Sequence, residues 1–256
     1  MSAKTYKTRG LVLRKTKLGE KDLVVTLLDE SGALLRAVAK GARKPGGSYA
    51  ARVELFSCVD IMLAQGRNLD VITSATFADS GARSAMGVEQ AACASALAEL
   101  IGSLAQEGLP HEMLFPMSRA AFARISSSGP NTALALSCAA MLKAFAYCGF
   151  RPNFTSCVSC GRTLDDGALI GQVPFSVIDG GLICTNCQRP ADAFMVEANS
   201  LKWADALMRA RFEDVASFDA PVDVCFAVLH LVHQWCRTHI GKNLKAIDFL
   251  LACGLF

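Results

Sequence analysis

The first eighty positions carry short apolar runs broken by turn signals, the pattern of strands. Residues 6–16 predict one strand, with Leu11 and Leu13 inside a basic frame. Residues 23–28 are dense in Leu, Val and Thr and predict a buried strand. The turn signal Asp29-Glu30-Ser31-Gly32 makes residues 33–39 its hairpin partner. Residues 41–49 read as a loop with Pro45-Gly46-Gly47 at its tip. Residues 54–64 and 69–77 then predict a second hairpin across Gln65-Gly66-Arg67-Asn68. Five strands, three then two, fit a small Greek-key barrel of OB type.

The pattern changes near Asp79-Ser80-Gly81, after which alanine and leucine recur with a helical period. Residues 87–106 predict a helix with Leu97, Leu100, Ile101 and Leu104 on its apolar face, and residues 110–125 a second. Asn131 is the expected cap of a third helix running to Tyr147, ended by Gly149 and Pro152. Residues 153–190 hold glycines and short apolar stretches at 168–170, 176–178 and 182–184, read as turns and small strands. Helices resume at 200–211, 222–239 and 244–252. The expected fold is α+β with several domains: an OB-type barrel over 1–80, a helical bundle from 81–152 and 191–256, and an inserted module over 153–190.

That module contains Cys157-Val-Ser-Cys160 and Cys184-Thr-Asn-Cys187. Two residues between cysteines let one tight turn aim both sulfurs at a point, so two such turns supply the four thiolates of a closed Zn²⁺ site. Gly161 permits the first knuckle to turn, and Arg162 and Arg189 each follow a pair at a place to offset the thiolate charge. A closed site implies a structural ion. The competing reading, a redox dithiol, needs a βαβ surrounding that is absent here.

Charge sharpens the picture. Of the 256 residues, the first 52 hold 12 Lys+Arg against 4 Asp+Glu, while the other 204 hold 14 against 19. The basic N-terminal part is suited to a polyanion; a solvated basic face without a partner is the alternative. Arg9, Arg14, Lys15, Lys17 and Lys21 line the first strand and its following turn, Lys40, Arg43 and Lys44 crowd the loop after the third strand, Arg52 follows, and Arg36 lies between. Strands one to three of such a barrel share the usual nucleic-acid face. Base stacking needs exposed aromatics, and this region offers only Tyr6, Tyr49, Phe56 and Phe77, the two phenylalanines being expected in the core. The barrel is therefore expected to hold backbones more than bases, with salt-sensitive and sequence-tolerant binding.

Other chemistry is thin. His230 and His233 lie three apart on an apolar helix, where packing is favoured over a metal pair. Asp165 and Asp166 adjoin the cysteine module as turn decoration. No phosphate-binding loop, nucleophile elbow, H-E-x-x-H or zinc-deaminase signature occurs. A zinc-dependent nucleic-acid-processing enzyme and a protein-interaction scaffold are the other classes considered; the first lacks an open metal site or carboxylate cluster. No apolar run is long enough for a membrane span, and the start lacks a secretory signal. Eleven cysteines, an odd number, point to free thiols in a reducing cytoplasm; Cys93, Cys138, Cys148, Cys225, Cys236 and Cys253 read as small buried hydrophobes.

The segments Tyr6-Lys-Thr-Arg-Gly-Leu-Val-Leu-Arg14, Leu18-Gly-Glu-Lys-Asp22 and Val38-Ala-Lys-Gly-Ala-Arg-Lys44, the cysteine module, and Asn243-Leu-Lys-Ala-Ile-Asp-Phe-Leu250 resemble the RecO family of bacterial DNA repair proteins over essentially the whole chain. The resemblance implies a recombination mediator that binds single- and double-stranded DNA and anneals complementary strands. It also implies work with RecR and often RecF in loading RecA onto DNA coated by single-strand binding protein, close to the nucleoid. Some members have lost the zinc module, so the resemblance does not make the ion catalytic. By position, Lys15, Lys17, Lys40, Arg43 and Lys44 fall in the basic barrel segments. The family also binds the acidic, apolar tail of single-strand binding protein through its helical domain. Arg237, Lys242 and Lys245, near Leu244, Ile247 and Phe249, are the candidate residues here, with core packing and ordinary surface lysines as the alternative.

Overall fold

In the first forty residues the apolar positions do pair into a sheet. The computed structural model describes residues 4–44, 52–78, 86–164 and 169–256. The expected loop tip at 45–49 and the boundary at 79–81 lie outside the described residues. So do Asp165, Asp166 and the start of the 168–170 stretch. Strands β1 (Thr5–Leu18), β2 (Asp22–Asp29), β3 (Leu34–Ala39), β4 (Cys58–Ala64) and β5 (Asp70–Phe77) close into a barrel in the order β1-β2-β3-β5-β4. All pairs are antiparallel except β3 with β5, the Greek-key connectivity of an OB barrel. Alternation sends Val12, Val25, Leu27, Ala37, Val59, Ile61, Leu63 and Ile72 into one closed core.

Two local departures have causes. A bulge between Val12 and Arg14 shifts the β1–β2 register, so residues on either side present different faces. The second hairpin begins at Cys58 and not at 54, because Phe56 turns the chain at φ 64 and stacks on Phe122 at 5.5 Å. Phe77, expected in the core, ends β5 at 39 % exposure.

The chain divides into two compact units, Met1–Ala85 with Ile101–Phe122, and Met86–Leu100 with Ala123–Phe256. In the first, residues 101–122 lie along the barrel. Leu34 N–H donates to Gln106 O and His111 N–H to Ser31 O. The second is built on the helices α1 (Val88–Leu104), α2 (Leu114–Ser127), α3 (Pro130–Tyr147), α4 (Ala198–Arg209), α5 (Phe212–Val215), α6 (Val222–His239) and α7 (Lys245–Ala252), of which the ends of α1 and start of α2 belong to the barrel unit. The α3 cap is Gly129, not Asn131. Pro130 fills the first helical position, where its fixed φ fits and its missing N–H costs nothing.

A three-stranded sheet, β7-β6-β8, lies between α3 and α4. Its strands are β6 (Gln172–Ser176), β7 (Gly181–Leu182) and β8 (Phe194–Glu197). The strands expected at 176–178 and 182–184 lie next to β6 and β7, while β8 carries no sequence signal and pairs Val196 with Val173 and Phe194 with Phe175. Phe175 is fully buried against Phe154, Phe194 and Trp235, and Trp235 Nε1 donates to Phe150 O at 2.9 Å. This aromatic cluster fixes the module on α6.

Candidate nucleic-acid interface and metal centre

The register decides which N-terminal cations share a surface. Arg14 pairs with Thr26 and Thr26 with Arg36, so the two arginines stand on one outward row across β1–β2–β3, both exposed. Lys15 instead opposes the core residue Val25. It is half-buried and ion-pairs with the partly exposed carboxylate of Glu54 at 3.1 Å. Lys17 opposes Leu23 beside the β1–β2 turn, which carries Lys21. The loop after β3 folds onto that same turn: Arg43 N–H donates to Lys21 O at 3.0 Å, and Arg43 Nη1 to Gly19 O at 2.9 Å.

One end of the barrel therefore gathers Lys17, Lys21, Lys40, Arg43 and Lys44, all exposed, with Glu20 and Asp22 as neighbouring acids. Asp22 is engaged locally, accepting from Gly41 N–H at 2.7 Å. Asp22 was missed as a member of this arrangement. Its signal is the position opposite the loop: Leu23 pairs with Ala39, so Asp22 and residue 40 leave the ladder together.

Arg9 is not part of this group. It lies five residues before Arg14, about 17 Å along a strand, and holds Asp60 through Nε at 2.7 Å and Nη2 at 3.2 Å. The hydrogen bond from Arg9 keeps the Asp60 carboxyl below its usual range. Lys7, Arg9, Glu30, Asp60, Met62 and Ser74 line a shallow groove of about 500 Å³, where charges of both signs alternate. Arg52, the last of the N-terminal cations, is exposed.

Tyr6, the lone aromatic of residues 4–44, packs on the barrel core and donates to Asp70; burial, then that carboxylate, pushes its phenol pKa up. Among the described residues, β1–β3 thus present no exposed aromatic, whereas Phe77 on β5, expected in the core, is 39 % exposed.

The four knuckle cysteines converge. The sulfurs of Cys157, Cys160, Cys184 and Cys187 all lie within 4.8 Å of one another, with Cys160 and Cys184 at 3.7 Å. A tetrahedral ion with metal–sulfur bonds of about 2.3 Å has sulfur–sulfur edges of about 3.8 Å, so the donor set and spacing fit a divalent metal. Local bonds build each knuckle. Gly161, at φ +74, donates to Cys157 O at 2.8 Å, and Cys187 N–H to Cys184 O at 3.1 Å. Burial pushes the Cys157 thiol up, but N–H donors from Cys184, Cys160 and Ser159 win and bring it down to about 6. At Cys187 a hydrogen bond from Ser159 favours the thiolate, but Cys184, Cys160 and Cys157 push its pKa to about 12. Four crowded thiolates oppose one another unless a cation stands between them. Arg189, expected to offset that charge, donates to Ala193 O from Nε and Nη2.

Among the described residues no other group of three possible ligands comes as close. His233 Nε2 meets Asn243 Oδ1 at 2.8 Å, while His230 is exposed, so the two do not form a metal pair. Burial pushes the Cys93 thiol up to about 12 and Cys236 to about 11, and Cys138 and Cys225 are also buried, as expected; Cys148 and Cys253 are only partly so. All eleven cysteines are free. At the C-terminus, Arg237, Lys242 and Lys245 are exposed and Phe249 is 53 % exposed, but Leu244 and Ile247 are core residues. The exposed apolar element there is Phe249, one helical turn from Lys245. Among the described residues no helix is long and apolar enough to cross a membrane.

Comparison with known proteins agrees at both ends of the chain. Residues 1–80 match the family model of the recombination protein O N terminus, and residues 88–247 that of the recombination protein O C terminus. A protein named DNA repair protein RecO from Bifidobacterium longum is 30 % identical over 249 residues, covering 96 % of this chain and 98 % of its own length. A second of that name, from Desulfitobacterium hafniense, is 29 % identical over 245 residues, covering 94 % and 87 %. An aspartyl tRNA synthetase from Entamoeba histolytica covers 97 % of this chain and 55 % of its own at 11 % identity, with a TM-score of 0.24.

Proposed function

Because this chain belongs to the RecO family of DNA repair and recombination proteins, we propose that it is a non-enzymatic DNA-binding and strand-annealing factor. The gathering of Lys17, Lys21, Lys40, Arg43 and Lys44 at one end of the barrel carries this reading. Arg14 and Arg36 extend that surface over β1–β3. Lys15 and Arg9, engaged with Glu54 and Asp60, serve the barrel more than the DNA. A surface rich in cations and without aromatics grips sugar–phosphate chains and leaves base edges free to pair. Single- and double-stranded DNA both offer that backbone.

The four cysteines are read as ligands of a structural Zn²⁺, which would supply a cross-link and, with all four positions filled, no open site for substrate. RecR, and possibly RecF, are the proposed partners in loading RecA onto DNA coated by single-strand binding protein. The acidic tail of that protein is assigned to Arg237, Lys242, Lys245 and the exposed Phe249.

Annealing of complementary strands precoated with single-strand binding protein tests the proposal. Wild type should anneal them, and the Lys40→Glu/Arg43→Glu variant should not at moderate salt. Equal annealing by both proteins would defeat it.

A further inference from the structure

The loop that carries Lys40, Arg43 and Lys44 is held at three points. Ala42, at its centre, is 2 % exposed and belongs to the barrel core. On one flank Arg43 binds the β1–β2 turn through its backbone N–H and its guanidinium. On the other, Asp22 Oδ1 accepts from Gly41 N–H at 2.7 Å. Gly41 sits at φ +68, the left-handed region, so the chain changes direction at the amide that Asp22 holds. Lys40 precedes that change of direction and Arg43 and Lys44 follow it.

We propose that Asp22 is a positioning residue for DNA binding: its carboxylate orients the cationic loop, and this outweighs its repulsion of phosphate. The inference rests on the reading of the barrel end as a phosphate-binding surface.

Two opposing effects meet at this residue. As a charge, Asp22 disfavours phosphate. Each phosphate contact in a single-strand site is worth about 0.7 log units per tenfold salt change, so if neutralising the acid frees one further contact, binding tightens by up to about 5-fold at 0.1 M salt for equal affinity at 1 M. As an acceptor, it fixes Gly41. Releasing that amide loosens the loop and removes at least one phosphate contact, about 5-fold weaker by the same measure. Asparagine keeps an acceptor oxygen and removes the charge, whereas alanine removes both. The ratio between these two variants isolates the positioning effect.

The test is fluorescence anisotropy of a labelled oligothymidine with the full chain in 0.1 M NaCl, repeated across salt. Asp22→Asn should bind as tightly as wild type or up to about 5-fold tighter. Asp22→Ala should bind at least about 5-fold more weakly than Asp22→Asn, with a log–log salt slope smaller by about 0.7. Equal affinity of the two variants would overturn the inference, because the acid would then act only through its charge. Should Asp22→Ala melt early, Asp22→Leu, close to asparagine in size but without an acceptor oxygen, replaces it. Binding at least about 5-fold weaker than Asp22→Asn, with equal melting of the two, supports the inference, and equal affinity overturns it. Lys40→Glu/Arg43→Glu runs alongside, and its binding like wild type would remove the phosphate-binding reading itself.

Discussion

Replacing Cys157 by serine should unfold the cysteine knuckles while sparing the barrel. The knuckles span roughly 14 residues, 157–164 and 184–189, and fixing their backbone costs about 14–28 kcal/mol at about 1–2 kcal/mol per residue. Their own core is small: Cys157, Ile183 and Cys184, with Val158, Leu164 and Cys187 partly buried beside them. Burying Ile183 offsets about 1.5–3 kcal/mol, and the half-buried Val158 and Leu164 about half of that each. A four-thiolate zinc site adds about 10–16 kcal/mol, and the two together come within a few kcal/mol of the entropy. Without the ion the knuckles fall short. Phe175 still packs against Trp235, so β6 should stay in place. Hydrogen exchange by mass spectrometry, with elemental analysis, reads this directly. Wild type should hold one zinc per chain and protect residues 157–164 and 184–189. Cys157→Ser, or wild type treated with a chelator, should lose both, with barrel peptides unchanged. Full protection and full zinc in Cys157→Ser would refute the reasoning.

Trp235→Ala removes a side chain 2 % exposed that bonds Phe150 O and packs on Phe175, so it should cost about 3–5 kcal/mol in chemical denaturation. Asp60→Asn should leave oligonucleotide affinity unchanged, because the Arg9 pair lies away from the cationic end. Its stability effect should depend on pH. The Asp60 carboxyl is held low in the folded chain, so its contribution is present above the unfolded carboxylate range near pH 4 and is lost as pH falls through the folded value. The difference in melting point between wild type and Asp60→Asn, small because the pair is exposed, should vanish in acid.

The barrel was legible because local signals and long-range pairing agree. Turn residues at 29–32 mark a hairpin, and the apolar positions on both sides of it meet in one core. The four-cysteine centre was equally legible, because its geometry is carried by two short turns whose spacing is written in the chain. Boundaries governed by tertiary contact were not. The left-handed Phe56 stacks on a residue sixty-six positions away, and no local signal marks it. Strand β8 is short and becomes a strand only beside β6. Among the cations, sequence could count charge but not direction. The bulge at Val12/Arg14 sets Arg14 free on the outer row and leaves Lys15 beside Glu54, and Arg9 finds its acid fifty-one residues later on β4. Asp22 read as one more charge, and the structure makes it a hydrogen-bond acceptor for the loop.

The most direct measurement is the salt dependence of single-stranded DNA affinity for wild type and Lys40→Glu/Arg43→Glu. Four phosphate contacts predict a log–log slope of about −3 for wild type; losing two predicts a slope of about −1.4 and affinity at least about 25-fold weaker at 0.1 M salt. A flat wild-type response, or a double variant that binds as tightly, would contradict the account.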